Sequence, residues 1–223
     1  DIAPSYSYYL FGAGGAWIDA SGKFLMNSPE SVAAMTYLKD LYDRKLLEQD
    51  VTADRGAQEG RFQAAQTAIF PTGNFFVTTL EKNVPDLEYA VGALPHKDGV
   101  EPFAVGVSDY FIAFELGDEE RNKLSADLNA FIFDPVNYVP WLAADGFLPV
   151  TRSSFEPYRK AAPNMAPFLD NLETAKFYPS GDTRWGQVVT IMSETVQGIL
   201  LGRTSVQAGL DAAQAQIDAL PTS

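Results

Sequence analysis

The stretch from Trp185 to Ile217 limits what this chain can fold into more than any other. The spacing predicts a helix that begins at a large aromatic, runs to Leu201 and stops at Gly202. Glycine is the residue that most easily adopts the left-handed conformation closing a helix. Thr204 or Ser205 then caps a second helix, whose apolar stripe is Val206, Leu210, Ala213, Ile217 and Leu220. Taken alone, the segment is a helical hairpin with one face on a core.

The rest of the chain has the bulk to supply that core. At 223 residues and 46% hydrophobic, it can bury one sizeable core or two lobes. There are no cysteines, so neither a disulfide framework nor a thiolate metal site is available. A formal net charge of −13 without a basic run argues against nucleic acid and anionic membranes as partners. No stretch reaches the ~20 apolar residues of a membrane helix. No signal peptide is present, and Asp1 looks like an internal start.

Further elements follow from local signals. Tyr6 to Phe11 is aromatic and apolar and leads into a turn at Gly12 to Gly15; if it alternates, Tyr6 and Tyr8 share one face and Tyr9 takes the other. Asp19-Ala-Ser-Gly22 predicts a hairpin turn between short strands. Ser28 caps a helix with Pro29 in its first position, where a missing N–H costs nothing, and Val32, Met35, Leu38, Leu41 and Tyr42 form its core face. A short helix through Phe62 leads to a buried strand at Thr67 to Phe70, and Asn74 caps the helix after it. Strands are expected at Phe103 to Val107 and Tyr110 to Phe114. Asp118 then starts a helix to Phe133 with Leu124, Leu128, Phe131 and Ile132 on one side, and a second helix containing Trp141 ends near Gly146.

Catalytic chemistry leaves little trace. The single histidine, His96, sits in a Pro-His-Lys-Asp-Gly turn typical of a solvated loop, with nothing to complete a triad or a metal pair. Of the 29 carboxylates, most fall on expected solvated helix faces and caps, as Asp118-Glu119-Glu120 does. The Asp19 loop lacks the alternating oxygen ligands and closing glutamate of a calcium-binding EF-hand.

Five blocks, in order, carry a resemblance. They are Gly14-Gly-Ala-Trp-Ile-Asp19 with the Asn27 to Leu41 helix; Phe62 to Phe75; Tyr89-Ala-Val-Gly-Ala-Leu-Pro95; Gly146-Phe-Leu-Pro-Val-Thr-Arg152; and the Gly202 hairpin. Together they resemble the extracellular solute-binding proteins of ABC importers, in the sugar-binding, maltose-binding-protein-like branch. The resemblance implies an α/β, type II periplasmic-binding-protein-like fold of two lobes. Residues 1–107 would be the first part of the C-terminal-type lobe, 108–151 a segment crossing into the N-terminal-type lobe, and 152–223 a helical return. It also implies capture of a sugar or oligosaccharide in an inter-lobe cleft, delivery to permease subunits in the membrane, no cofactor, and a periplasmic or extracellular location. The family's front portion has no counterpart here, so the resemblance implies a missing N-terminal portion or a complementing chain, a lipid anchor through that portion as one option, and weak solute affinity for this portion alone. Apolar surface on the helices from 119 to 145 would then be exposed.

Sugars present apolar C–H faces and hydroxyl edges, so their sites combine flat aromatic rings with a few polar groups. Phe75 stands where the family has a cleft-facing Trp, and Trp185 heads the penultimate helix where relatives place a stacking ring. Tyr8 is the favoured N-terminal tyrosine. Gly73 and Asn74 offer the N–H groups of a helix start. Gly106 allows close backbone approach beside Asp109 at the first lobe crossing, and Asp182 and Arg184 flank Trp185. Ordinary packing competes for the aromatics, hinge structure for Gly106 and Asp109, and a cap with a surface charge for Asp182 and Arg184. A binding protein for a peptide, polyamine or organic acid, an extracellular carbohydrate-active enzyme with a facing acidic pair, and a scaffold without an aromatic cleft are the rival functions.

Overall fold

A computed structural model describes residues 2–50 and 55–221. In chain order the elements are α1 (Ile2–Gly12), α2 (Pro29–Asp43), α3 (Arg55–Gln63), α4 (Phe75–Asn83), β1 (Ala104–Gly106), α5 (Glu119–Phe133), α6 (Pro135–Asp145), α7 (Phe155–Ala161), α8 (Ala166–Asp170), β2 (Ala175–Phe177), α9 (Trp185–Leu200) and α10 (Val206–Asp218). Short 3-10 turns at Arg152–Ser154, Pro163–Met165 and Asn171–Thr174 join the elements around α7 and α8. The chain forms two compact units. The first holds Asp1–Phe62, Ala90–Val107 and Thr174–Ser223; the second holds Gln63–Tyr89 and Ser108–Glu173.

The C-terminal hairpin organises the first unit. Gly202 has φ +71° after the last turn of α9, and the Ser205 side chain accepts the Ala208 N–H at 3.3 Å, so serine 205 supplies the cap of α10. Val188, Met192, Val196 and Ile199 from α9 meet Leu210, Ala213 and Ile217 from α10 in one core, with Met35 and Leu38 of α2. On α2 the Ser28 cap accepts the Ser31 N–H with Pro29 at the first position. Of its expected core face, Met35 and Leu38 are buried, while Val32, Leu41 and Tyr42 are half-buried.

Residues 6–11 do not alternate. They belong to α1, which buries Tyr6, Ser7, Leu10 and Phe11, a face repeating every four residues. Tyr8 and Tyr9 are therefore both half-buried instead of lying on opposite faces. Behind α1, the Trp17 indole N–H donates to Ser7 Oγ at 2.8 Å, and its ring meets Tyr6 edge-on at 5.6 Å. The Asp19 turn is present, with Gly22 at φ +84° and three hydrogen bonds to Asp19 Oδ1, but it closes a single bridge, Ile18 to Phe24.

β1 and β2 pair in parallel, Ala104 with Ala175, Val105 with Lys176 and Gly106 with Phe177. They are the named strands among the described residues, and two expected strands are absent. Residues 67–70 have no regular structure, with Ile69 78% exposed, and residues 110–114 have none either and pair with no strand among the described residues, leaving Ile112 and Phe114 exposed. A strand's hydrogen bonds come from a neighbour, so apolar composition alone cannot make one.

The second unit packs α4, α6, α7 and α8 around Val77, Tyr138, Val139, Leu142, Tyr158, Met165 and Leu169. α6 ends as expected at Gly146, whose φ is +77°. Burial pushes the Tyr158 phenol up to about 12, and its hydroxyl lacks a hydrogen-bond partner among the described residues. The Asp118 side chain caps α5 by accepting the Glu120 and Arg121 N–H groups. The apolar side of α5 is open: Leu124, Leu128 and Phe131 are all exposed.

Candidate functional site

The sequence candidates divide between the units. Tyr8, Gly106, Asp182, Arg184 and Trp185 lie in the first, and Gly73, Asn74, Phe75 and Asp109 in the second.

In the first unit, Trp185 heads α9 within a cluster of rings. Tyr178 lies near-parallel to it at 5.3 Å and 11°, Phe24 at 6.5 Å and 10°, and Trp17 meets it edge-on at 5.0 Å. These contacts come from a loop, a bridge and the turn before α9, so they form only once the first unit has folded. Much of the Trp185 surface is committed to packing. Tyr8 lies half-buried in the same unit, where burial raises its phenol pKa, Arg55 opposes that shift and Tyr178 adds to it. The structure thus brings Tyr178 and Trp185 together, with Tyr8 half-buried in the same unit.

Asp182 and Arg184 satisfy one another. Arg184 Nε donates to Asp182 Oδ1 at 2.9 Å and Nη2 to Oδ2 at 2.7 Å, while the Arg184 backbone N–H reaches Oδ1 at 2.8 Å. The guanidinium also lies 4.9 Å from the Phe24 ring centroid, and Nη2 donates to Gly22 O at 3.4 Å. The pair therefore ties the head of α9 to the Asp19 turn, and a solute hydroxyl would share these groups with bonds already made. The Arg184 side chain, followed by its backbone N–H, holds the Asp182 carboxyl down at about 2, below its ordinary 3.8. A depressed acid stabilises the fold above its unfolded pKa and loses that contribution as pH falls toward the folded value. Asp182→Asn is expected to melt below the parent protein near neutrality. The gap should close between about pH 4 and pH 2 in melts read across pH; a gap independent of pH would count against the pairing.

Gly106 lies beneath Phe177, its partner in the register. A Cβ at 106 would fall 2.4 Å from Phe177 Cε1 and 2.6 Å from Cζ, so only glycine lets the ring rest on the backbone. Phe177 remains 58% exposed.

In the second unit, Gly73 plays a similar part for Phe75, since a Cβ there would meet Phe75 Cε1 at 2.3 Å. Phe75 is half-buried at the start of α4. The expected Asn74 cap is not made. Asn74 sits at the cap position in the helical region of φ and ψ, not the extended one that aims a cap side chain at the helix, and its Nδ2 donates to the Gly146 carbonyl. Asn74 thereby joins the start of α4 to the end of α6. Asp109 is exposed beside the exposed Tyr110.

Sequence reasoning passed over Phe177, Tyr178 and Phe24. A glycine facing a phenylalanine across two strands was the available signal for Phe177, but their separation of 71 positions hid the pairing.

Residues 3–167 match the family model described as bacterial extracellular solute-binding protein. Binding proteins of Brucella abortus and Brucella suis are each 26% identical over 218 residues, 96% of this chain and 52% of theirs. The chain thus spans about half the length of the curated relatives it matches. Among solved structures, maltose-bound MalE3 of T. maritima superposes with a TM-score of 0.78 at 19% identity, covering 96% of this chain and 56% of that one. The cyclic α-maltosyl-1,6-maltose binding protein of Arthrobacter globiformis gives 0.74 at 21% identity over 97% and 55%. An ABC transporter solute-binding protein of Thermotoga lettingae bound to α-D-tagatose gives 0.76 at 16% over 96% and 55%. At these identities the solved structures establish the fold, a type II periplasmic-binding-protein-like α/β architecture.

Proposed function

Since this chain belongs to the bacterial extracellular solute-binding protein family, we propose that it serves an ABC importer by capturing a sugar or oligosaccharide outside the cytoplasm and handing it to membrane permease subunits. Capture, with no bond made or broken, is the proposed mechanism. The observation that carries the sugar reading is the near-parallel pair of Tyr178 and Trp185 beside the Asp182–Arg184 pair. Rings offer faces and edges to pyranose C–H groups, and phenols and charged groups serve hydroxyls. Proposed contacts on the first unit are Tyr8, Gly106, Asp182, Arg184 and Trp185; on the second they are Gly73, Asn74, Phe75 and Asp109. The sugars named for the solved neighbours lean the same way.

A solute shifts a closing equilibrium only by its preference for the closed state, so affinity depends on how many of these contacts one molecule makes at once. Saturation-transfer NMR, which reads weak binding, tests the proposal with glucose, maltose and a maltooligosaccharide beside a peptide, a polyamine and a dicarboxylate. Transfer to the C–H protons of one sugar class is the expected result. Transfer to a charged solute and to no saccharide would replace the sugar reading with the organic-solute one.

A further inference from the structure

We infer that Phe177, which none of the comparisons singles out, is a stacking platform for a pyranose ring; this rests on the sugar-binding reading above. In a parallel pair, alternate residues face alternate sides, so Ala104, Gly106, Ala175 and Phe177 share one side of the β1–β2 ribbon and Val105 and Lys176 the other. The second side is spent on the core. Val105 packs against the buried cluster, and Lys176 Nζ lies 5.6 Å from the Phe103 ring centroid and 5.8 Å from that of Phe11.

The first side carries two alanines, a glycine and a single large ring. That ring rests against Gly106, where a Cβ would intrude to 2.4 Å. It is also exposed, at 58% of its surface. Covering its apolar face with a ligand is favourable. The small neighbours leave room beside it. Tyr178, already part of the Trp185 cluster, is the next residue along the chain. An exposed, uncharged ring offers a flat apolar face that suits the C–H face of a sugar and disfavours an anion. An aromatic that merely covered a strand glycine would serve as well if it were any apolar side chain, and that difference makes the inference testable.

The test measures dissociation constants by NMR titration of the full chain with whichever saccharide the parent protein binds best. Phe177→Leu keeps the apolar cover over Gly106 and removes the flat face; Phe177→Trp keeps a flat face; Gly106→Ala leaves the ring in place chemically but forces it aside. Affinity is expected to fall about tenfold in Phe177→Leu and in Gly106→Ala, the scale of one aromatic contact. Phe177→Trp is expected to bind at least as well as the parent, and the melting temperature of Phe177→Leu should stay near the parent value. Equal affinity for the parent and Phe177→Leu would overturn the platform while leaving the sugar reading intact. A parent protein that binds no saccharide at all would overturn the sugar reading and Phe177's role with it.

Discussion

Trp17→Ala is expected to be among the most damaging single truncations in the first unit, costing about 3–5 kcal/mol. The indole is 1% exposed and meets Tyr6 edge-on at 5.6 Å and Trp185 edge-on at 5.0 Å. Alanine would remove those contacts, leave a cavity that α1 and α9 cannot fill by side-chain rotation alone, and deprive Ser7 Oγ of the N–H it accepts at 2.8 Å. Denaturant unfolding should show the midpoint falling with an unchanged slope, and the melting temperature should drop by roughly 10 °C. Trp17→Phe separates the two contributions. It keeps a ring in the cavity but not the N–H, so it should lose only part of that stability. A Trp17→Ala protein within about 1 kcal/mol of the parent would contradict the central place given to this ring.

Gln214→Leu is the second expected large loss, for a different reason. Gln214 is 6% exposed on α10, its Oε1 accepts the Met26 N–H at 2.7 Å, and its Nε2 donates to Phe24 O at 3.0 Å and Asp218 Oδ1 at 2.8 Å. Leucine fills nearly the same volume, so packing is largely preserved while a buried N–H and a buried carbonyl lose their partner. Each orphaned group costs about 1–3 kcal/mol, which makes a total of about 2–6 kcal/mol. The loss has a local signature too. Phe24 lies near-parallel to Trp185 and beneath the Arg184 guanidinium, so releasing its carbonyl should disturb the ring cluster. Near-UV circular dichroism of the folded variant should change where Trp and Tyr absorb. An unchanged spectrum together with unchanged stability would show that the loop at 24–26 holds its position without Gln214.

These two residues also mark how far the sequence could be read. Ser28 with Pro29, Asp118, Gly146, Gly202 and Ser205 announced helix ends, and the structure has helix ends at each. A cap or a C-terminal glycine acts on backbone groups within a few residues, so its meaning travels with the local sequence. Asn74 is the instructive exception, because a carbonyl 72 positions away competed for its side chain and won. The strands expected at 67–70 and 110–114 failed on the same principle, since a strand is completed by a partner that local sequence does not contain.

The candidate site was legible only as positions. Trp185 was visible as an aromatic at a helix start, but not its place between Tyr178, Phe24 and Trp17. Asp182 and Arg184 were visible as flanking charges, but not as a bidentate pair. Phe177 had no local mark at all.

By itself, then, the sequence determined most of the helix ends, the stripe that α10 turns to the core and the family, because periodicity, caps and ordered blocks are properties of neighbouring residues. Tertiary structure alone decided which rings touch, which charges are spent on each other, and that Gly106 lies under Phe177. Most of those contacts join residues far apart in the chain, as Gly106 and Phe177 are, or Gln214 and Met26 at a separation of 188. Closing such loops costs entropy that only the assembled core repays, so no window of the chain carries their outcome.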